Sequence, residues 1–404
     1  MDAHAEHAAE GRGAVTGILV FFHCASNAGY AIARLERVLF EVARRIGGDE
    51  RAVHYAYTDL SSGQPVTLPA SARRAIQFDA GSSDRGQLQA IERYVREHGI
   101  EVALGFDQPV RNPGYAALRR GGLRTFVSYW GAPMSSVNRG WKLALKRLDV
   151  RLARDGPDHY IFESMAMQRT AVEGRGIPAA STSVTYLGVD PEVFRPAESR
   201  DWYAHDVFGI PKDRRIVYYS GHMEERKGVH VLINSAVELV DGRGIRDVHF
   251  LLLGNQDGQE AVFDSLYRGR LAEQHITFGG YRDDVERIIP GCHLGAIGST
   301  GWDSFTMSSL EIAACGVPLL VSRLPGLDET VEEGVTGFTF AVGNASELGD
   351  RIVLLLEDPD RRAAMSAASR RRVLDRFTTT RQVDSIDAAV RGADDRLRSR
   401  PHVG

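Results

Sequence analysis

Two acids, Asp303 and Glu311, stand eight positions apart in "GWDSFTMSSLEIAACGVP" (301–318), just ahead of the apolar run "VPLLV". The stretch reads as a helix docked on a core strand, and eight residues is a little over two turns, so the acids lie near one face with Leu310 and Ala314 beside them. A carboxylate in the setting "LEIAACG" needs donors if it is buried. The vicinal hydroxyls of a ribose supply two, whereas the plainer alternative is an acid on the helix surface. Ser304 or Asp303 can cap the helix. The amides of Phe305, Thr306, Met307 and Ser308 then form an anion cradle at the positive end of the dipole.

A second candidate is "YYSGHMEERKG" (218–228), a strand end followed by Gly221, His222, Arg226, Lys227 and Gly228. Gly221 permits a tight turn, and basic groups beside a helix start face an anion, for which a diphosphate is the natural choice. The alternative is a solvated charged turn. Three more places carry weaker signals. In "HCASNAGY" (23–30), Gly29 ends a polar loop ahead of a helix and is a further donor-site candidate, although the loop lacks G-x-G-x-x-G spacing. In "SYWGAPMSS" (128–136), Tyr129 and Trp130 could pack on the C–H face of a sugar or close a core. Asp107, ending "EVALGFD", and Glu163 in "FES" could meet a cationic acceptor, or serve as turn and capping acids.

Those residues need a scaffold, and the sequence supplies one in two halves. Short apolar runs such as "GILVFF" (17–22), "EVALGF" (101–106) and "RTFVSYW" (124–130) alternate with helical patterns such as "YAIARLERVLFEVARRI" (30–46). The pattern restarts after a charged, weakly periodic segment (195–215), with "IVYYSG", "VHFLLLG", "HITFGG", "HLGAIGS" and "VPLLVS". This predicts an α/β protein of two doubly wound, Rossmann-like parallel-sheet domains facing across a cleft, with chemistry in the strand-to-helix turns. The expected limits are a disordered tail over 1–14, an N-terminal domain over 15–195, a C-terminal domain over 196–375, and a helix over 376–404 packing back on the first domain.

The 404 residues, 43% hydrophobic and 25% charged, suit a two-domain globular chain. A net charge of −4 gives no reason to expect nucleic acid or an anionic membrane as a general partner. Cys24, Cys292 and Cys315 have no metal or disulfide spacing, and Cys315 reads as a small buried residue at a helix end. With no signal-peptide core and no run of about 18 apolar residues, the expectation is a cytoplasmic protein without integral membrane association.

The second half resembles the retaining glycosyltransferases of family 4, which have the GT-B fold. The resemblance rests on "VTYLGVDPEVFRP" (184–196), "SGHMEERKG", "DSFTMSSLEIAACGVPLLVS" and "GLDETVEEGVTGF" (326–338), in the family's order and spacing. It covers most of residues 160–380. The family's E-x7-E pair stands here as Asp303-x7-Glu311. The resemblance implies that Glu311 binds the ribose, Asp303 the transferred sugar, the amides from Phe305 to Ser308 the diphosphate, and Lys227 a phosphate. It implies catalysis by Lys227, His222 and Asp303 with no metal and no cofactor beyond the nucleotide sugar, probed first as a UDP-hexose or UDP-N-acetylhexosamine. Three positions depart from the pattern: His222 stands for an arginine, Asp303 for a glutamate and Thr306 for a glycine. Where the family carries a histidine in its first half, Trp130 aligns here.

"FVSYWGAPMSS" and "FESMAMQRTAVEGRGIP" are similar to members that glycosylate aminocyclitols in antibiotic assembly, with Trp130, Tyr129 and Asp107 as the implied acceptor residues. The partners implied are a nucleotide-sugar donor and a small-molecule acceptor. Two alternatives stay open: a transferase of polysaccharide or glycolipid assembly, and a non-catalytic nucleotide-sugar binding protein. A Rossmann oxidoreductase lacks its fingerprint.

Overall fold

A computed structural model of the chain describes residues 16–70, 74–198 and 201–399; the tail expected over 1–14 lies outside them. The chain forms two compact units. One holds residues up to 162, 167–185 and 383 onward; the other holds 163–166 and 186–382.

The first unit is built on strands β1 (Gly17–Phe21), β2 (Val53–Tyr57), β3 (Ile76–Gln77), β4 (Ile100–Phe106), β5 (Thr125–Trp130), β6 (His159–Phe162) and β7 (Thr182–Val184). They form a parallel sheet in the order β3-β2-β1-β4-β5-β6-β7. β1 shows why the runs are apolar throughout. Ile18 and Val20 enter one core and Leu19 and Phe21 the core on the opposite face, so both sides of the strand are covered.

The second unit repeats the plan with β8 (Arg215–Ser220), β9 (Val248–Leu253), β10 (Ile276–Phe278), β11 (Leu294–Ile297), β12 (Leu319–Ser322) and β13 (Gly337–Phe340). Their order is β10-β9-β8-β11-β12-β13, again parallel. Ile216 and Tyr218 of β8 face one core, Val217 and Tyr219 the other.

The division between units falls at 185/186, about ten residues ahead of the expected boundary. The charged segment and the residues just ahead of it are tied into the second unit by Val189, Phe194, Ala204 and Ile210, all buried in one core. Those anchors are spaced too widely to show as a period. At the other end, a separate helix, Pro359–Arg376, precedes the closing helix Thr379–Arg398. From residue 383 that closing helix belongs to the first unit, where Val383, Ile386, Val390 and Ala393 join the same core as Ile18 and Val20. Thr125 and Arg124 of the first sheet donate to Asp394.

Candidate donor site

In each sheet the chain order reverses at one pair of neighbouring strands, β1 and β4 in the first, β8 and β11 in the second. Ligands of open α/β sheets bind beyond the carboxyl ends of such pairs. The loops after β8 and β11 carry the two motifs singled out in the second half.

These loops are fastened together through their backbones. The amides of Thr300 and Gly301 donate to the Arg226 carbonyl at 2.8 and 3.1 Å. The Arg226 guanidinium donates to the Trp302 carbonyl at 3.0 Å and lies 5.6 Å from the centre of the Trp302 ring. Gly228 has φ of 68°, and a Cβ there would stand 1.8 Å from the Gly298 carbonyl oxygen. Only glycine fits that approach.

Across the fastened loops, the Lys227 ammonium meets the Asp303 carboxylate at 2.9 Å, and Ser299 donates to the other carboxylate oxygen at 2.7 Å. Asp303 is buried and the Lys227 side chain is nearly so. The sequence placed these groups in separate motifs with separate tasks. In the structure each is the other's partner. Ser299 was not anticipated; its signal was its position one residue past the glycine of "AIGST" at a strand end.

The helix begins later than the sequence suggested. It runs Met307–Ala314, and its N-cap is Thr306, whose hydroxyl accepts from the Ser309 amide at 3.3 Å; neither Asp303 nor Ser304 caps it. The reason is packing. Phe305 is buried against the rings of Tyr186 and Phe377, at 4.8 and 5.0 Å, and the Ser304 hydroxyl bonds Ser164 at 3.1 Å. Those anchors hold 304–305 out of the helix. Of the first-turn N–H groups, that of Ser309 is taken by the Thr306 hydroxyl, and those of Thr306, Met307 and Ser308 have no intrahelical acceptor. The Ser308 hydroxyl donates to the Ser220 carbonyl at 2.8 Å, tying the helix start to the end of β8.

Glu311 is buried, 5% exposed, on the helix between Leu310 and Ile312. Burial raises the Cys315 thiol and the Tyr218 phenol, and the nearby Glu311 carboxylate pushes both further up. Cys315 itself is the buried C-cap of the helix. His222 is exposed; its carbonyl accepts from the Tyr219 hydroxyl at 2.9 Å. Gly221 donates to the Leu253 carbonyl at 3.1 Å, and a Cβ on it would meet the Tyr219 hydroxyl at 2.6 Å.

The second acid of "GLDETV", Glu329, has a task the sequence did not assign. Glu329 accepts from the Met165 and Ala166 amides at 3.0 and 2.9 Å and from the Tyr186 hydroxyl at 3.0 Å. It caps the short helix Met165–Arg169.

The first unit holds the remaining candidates. Gly29 is exposed, with φ of 105°, and is the N-cap of the helix Tyr30–Gly47. Tyr129 is fully buried in the sheet core, and Trp130 packs among Tyr160, Phe162 and Met167, so both side chains close a core. Asp107 follows β4 directly, in the left-handed region at φ 50°. Its carboxylate accepts from the Gly131 amide at 2.9 Å, and burial holds its pKa up at about 6 against that bond and the pull of His23. His23, two residues past β1, stacks on Phe106 at 5.3 Å, a contact that no spacing in its loop signals. Glu163 is buried and belongs to the second unit.

Residues 201–372 match the family model described as Glycosyl transferases group 1. The match supports that family. D-inositol 3-phosphate glycosyltransferase of Mycobacterium tuberculosis is 27% identical over 250 residues, 59% of this chain and 49% of its own length. The chain thus spans about half the length of the curated relatives it matches. Among solved structures, a glycosyltransferase from Rickettsia africae superposes with a TM-score of 0.75 at 15% identity, covering 96% of this chain and 100% of that one. Anabaena HepE, solved in complex with UDP, gives 0.72 at 20% identity over 93% of this chain and 100% of its own. The two Rossmann-like parallel sheets give the chain the GT-B fold of these solved structures.

Proposed function

We propose that the protein is a retaining, metal-independent glycosyltransferase that moves a hexose or N-acetylhexosamine from a UDP-sugar to a hydroxyl of a small cyclitol, an aminocyclitol or a close relative. The carrying observation is the pairing of Lys227 with Asp303 at the strand-order reversal, next to the start of the helix that buries Glu311. Neighbours solved with UDP and with UDP-glucose, and relatives named for an inositol phosphate, support the donor and acceptor classes.

In this reading the diphosphate lies at the Met307 and Ser308 amides and takes the Lys227 ammonium. Glu311 accepts from the ribose hydroxyls. Lys227 thereby leaves Asp303 free to accept from the donor sugar. As the bond from the anomeric carbon to the diphosphate oxygen breaks, charge develops on the leaving group, where a fixed cation and helix dipole act most strongly. The acceptor oxygen bonds the anomeric carbon on the same face, and its proton passes to the departing phosphate. Asp107 and His23 of the first unit bind the acceptor, and Asp107 gives an amino group an anionic partner.

The test is mass spectrometry of products from UDP-sugars crossed with inositols and aminocyclitols. A glycosylated cyclitol made by the wild type and lost in Lys227→Ala supports the reading. UDP binding without transfer to any acceptor, and without slow donor hydrolysis, would leave a nucleotide-sugar binding protein instead.

A further inference from the structure

The helix Gly140–Leu152 of the first unit has no fully buried residue. Its half-buried face, Val150 and Ala153 with Lys146 and Asp149, is held to the unit. Val150 and Ala153 pack by the Trp130 cluster, Lys146 donates to Ser135 at 2.7 Å, and Asp149 pairs with Arg111 and Arg175. The opposite face is apolar. Trp141, Leu145, Leu148 and Leu152 are 70, 56, 52 and 58% exposed. Their spacing of four, three and four residues stacks them in one stripe along the helix.

Charge says what covers that stripe. From 139 to 154 the chain carries Arg139, Lys142, Lys146, Arg147, Arg151 and Arg154 against the single acid Asp149, in a protein whose net charge is −4. Asp149 is itself occupied by two arginines. A second copy of the chain would bring like charges together, which disfavours self-association. An outward stripe of tryptophan and leucine flanked by lysine and arginine suits a helix lying in the plane of an anionic lipid surface. Among the described residues no helix is long and apolar enough to cross a membrane, so contact through this helix is peripheral.

We propose that the helix Gly140–Leu152 docks the protein on an anionic lipid bilayer, with Trp141, Leu145, Leu148 and Leu152 inserted at the headgroup boundary and Lys142, Arg147 and Arg151 facing lipid phosphates. This goes beyond the transferase reading and does not depend on it.

The experiment is co-sedimentation of the full chain with vesicles of equimolar phosphatidylglycerol and phosphatidylcholine, and with phosphatidylcholine alone, at low and high salt. The expected result is binding to the anionic vesicles only, weakened by salt, with a loss of about tenfold or more in the Trp141→Ser, Leu148→Ser double variant. Lys142→Glu with Arg151→Glu should weaken binding and flatten its salt dependence. Because all four side chains are exposed, each variant should keep the wild-type unfolding midpoint, which is measured alongside. Absence of binding at low salt, binding untouched by the Trp141 and Leu148 changes, or self-association or capture of an acidic protein lost in that variant while vesicles are ignored would each overturn the proposal.

Discussion

The Lys227 ammonium stands 2.9 Å from the Asp303 carboxylate, and both side chains are largely withdrawn from water. A charge pair in such a place is costly to break by removing one partner. In the proposed cycle the donor diphosphate supplies a new partner for the lysine. Lys227→Ala should therefore lower kcat/KM about 100-fold to 1000-fold, the scale of losing a charged stabiliser of the leaving group. Lys227→Arg should restore part of it. Steady-state kinetics with a UDP-sugar measures both, and equal losses in Lys227→Ala and Lys227→Arg would separate geometry from charge.

Glu311 offers a cleaner test of where the nucleotide binds. Glu311→Gln keeps the volume and one acceptor but loses the charge, so UDP affinity should fall about tenfold to 100-fold, the range for hydrogen bonds to a charged group. Calorimetric titration with UDP reads this directly. Unchanged affinity would move the ribose elsewhere.

Gly228 carries the backbone contact that fastens the two loops. An alanine there has its Cβ inside the Gly298 carbonyl and must also hold φ of 68°. Gly228→Ala should cost more than about 2 kcal/mol, beyond the ordinary glycine effect. Denaturant unfolding measures it. Because the loops would part, UDP binding should fall as well.

Asp107 makes a pH prediction. Burial raises its carboxyl from 3.8 to about 6 in the folded chain. A raised value means that the folded form holds the proton more tightly, so its stabilising contribution is complete below about pH 4 and is lost as pH rises through 6. At about 1.4 kcal/mol per unit the loss approaches 3 kcal/mol. Asp107→Asn should thus be more stable than the wild type at pH 7 and lose that advantage at pH 4, as thermal unfolding across pH would show. If Asp107 meets a cationic acceptor, its KM in the wild type should improve as pH rises from 5 to 7.

What the sequence disclosed follows from which forces act locally. Strands such as β8 and β9 were visible because burial on both faces writes an unbroken apolar run. β3, only Ile76–Gln77, and β7, Thr182–Val184, are too short to carry a pattern. Motif spacing marks Asp303, Glu311 and Lys227 as candidates, but the bond between Asp303 and Lys227 joins residues 76 positions apart and no local signal encodes it. The start of the helix at Met307 was misplaced because the long-range contacts of Phe305 with Tyr186 and Phe377 outweigh the capping preference of Asp303 and Ser304. Glu36 shows the same limit. It sits in the helix Tyr30–Gly47 as an ordinary charge, yet it is buried and accepts from the Tyr57 and Thr67 hydroxyls.

The helix Thr379–Arg398 places its apolar residues against strands that begin at Gly17. On the ribosome, the residues of the second unit emerge complete while the first still lacks one wall. Its core stays open until Ala393 has left the exit tunnel. Chaperone binding to nascent chains should therefore outlast the emergence of the second unit and end only once those turns have followed it.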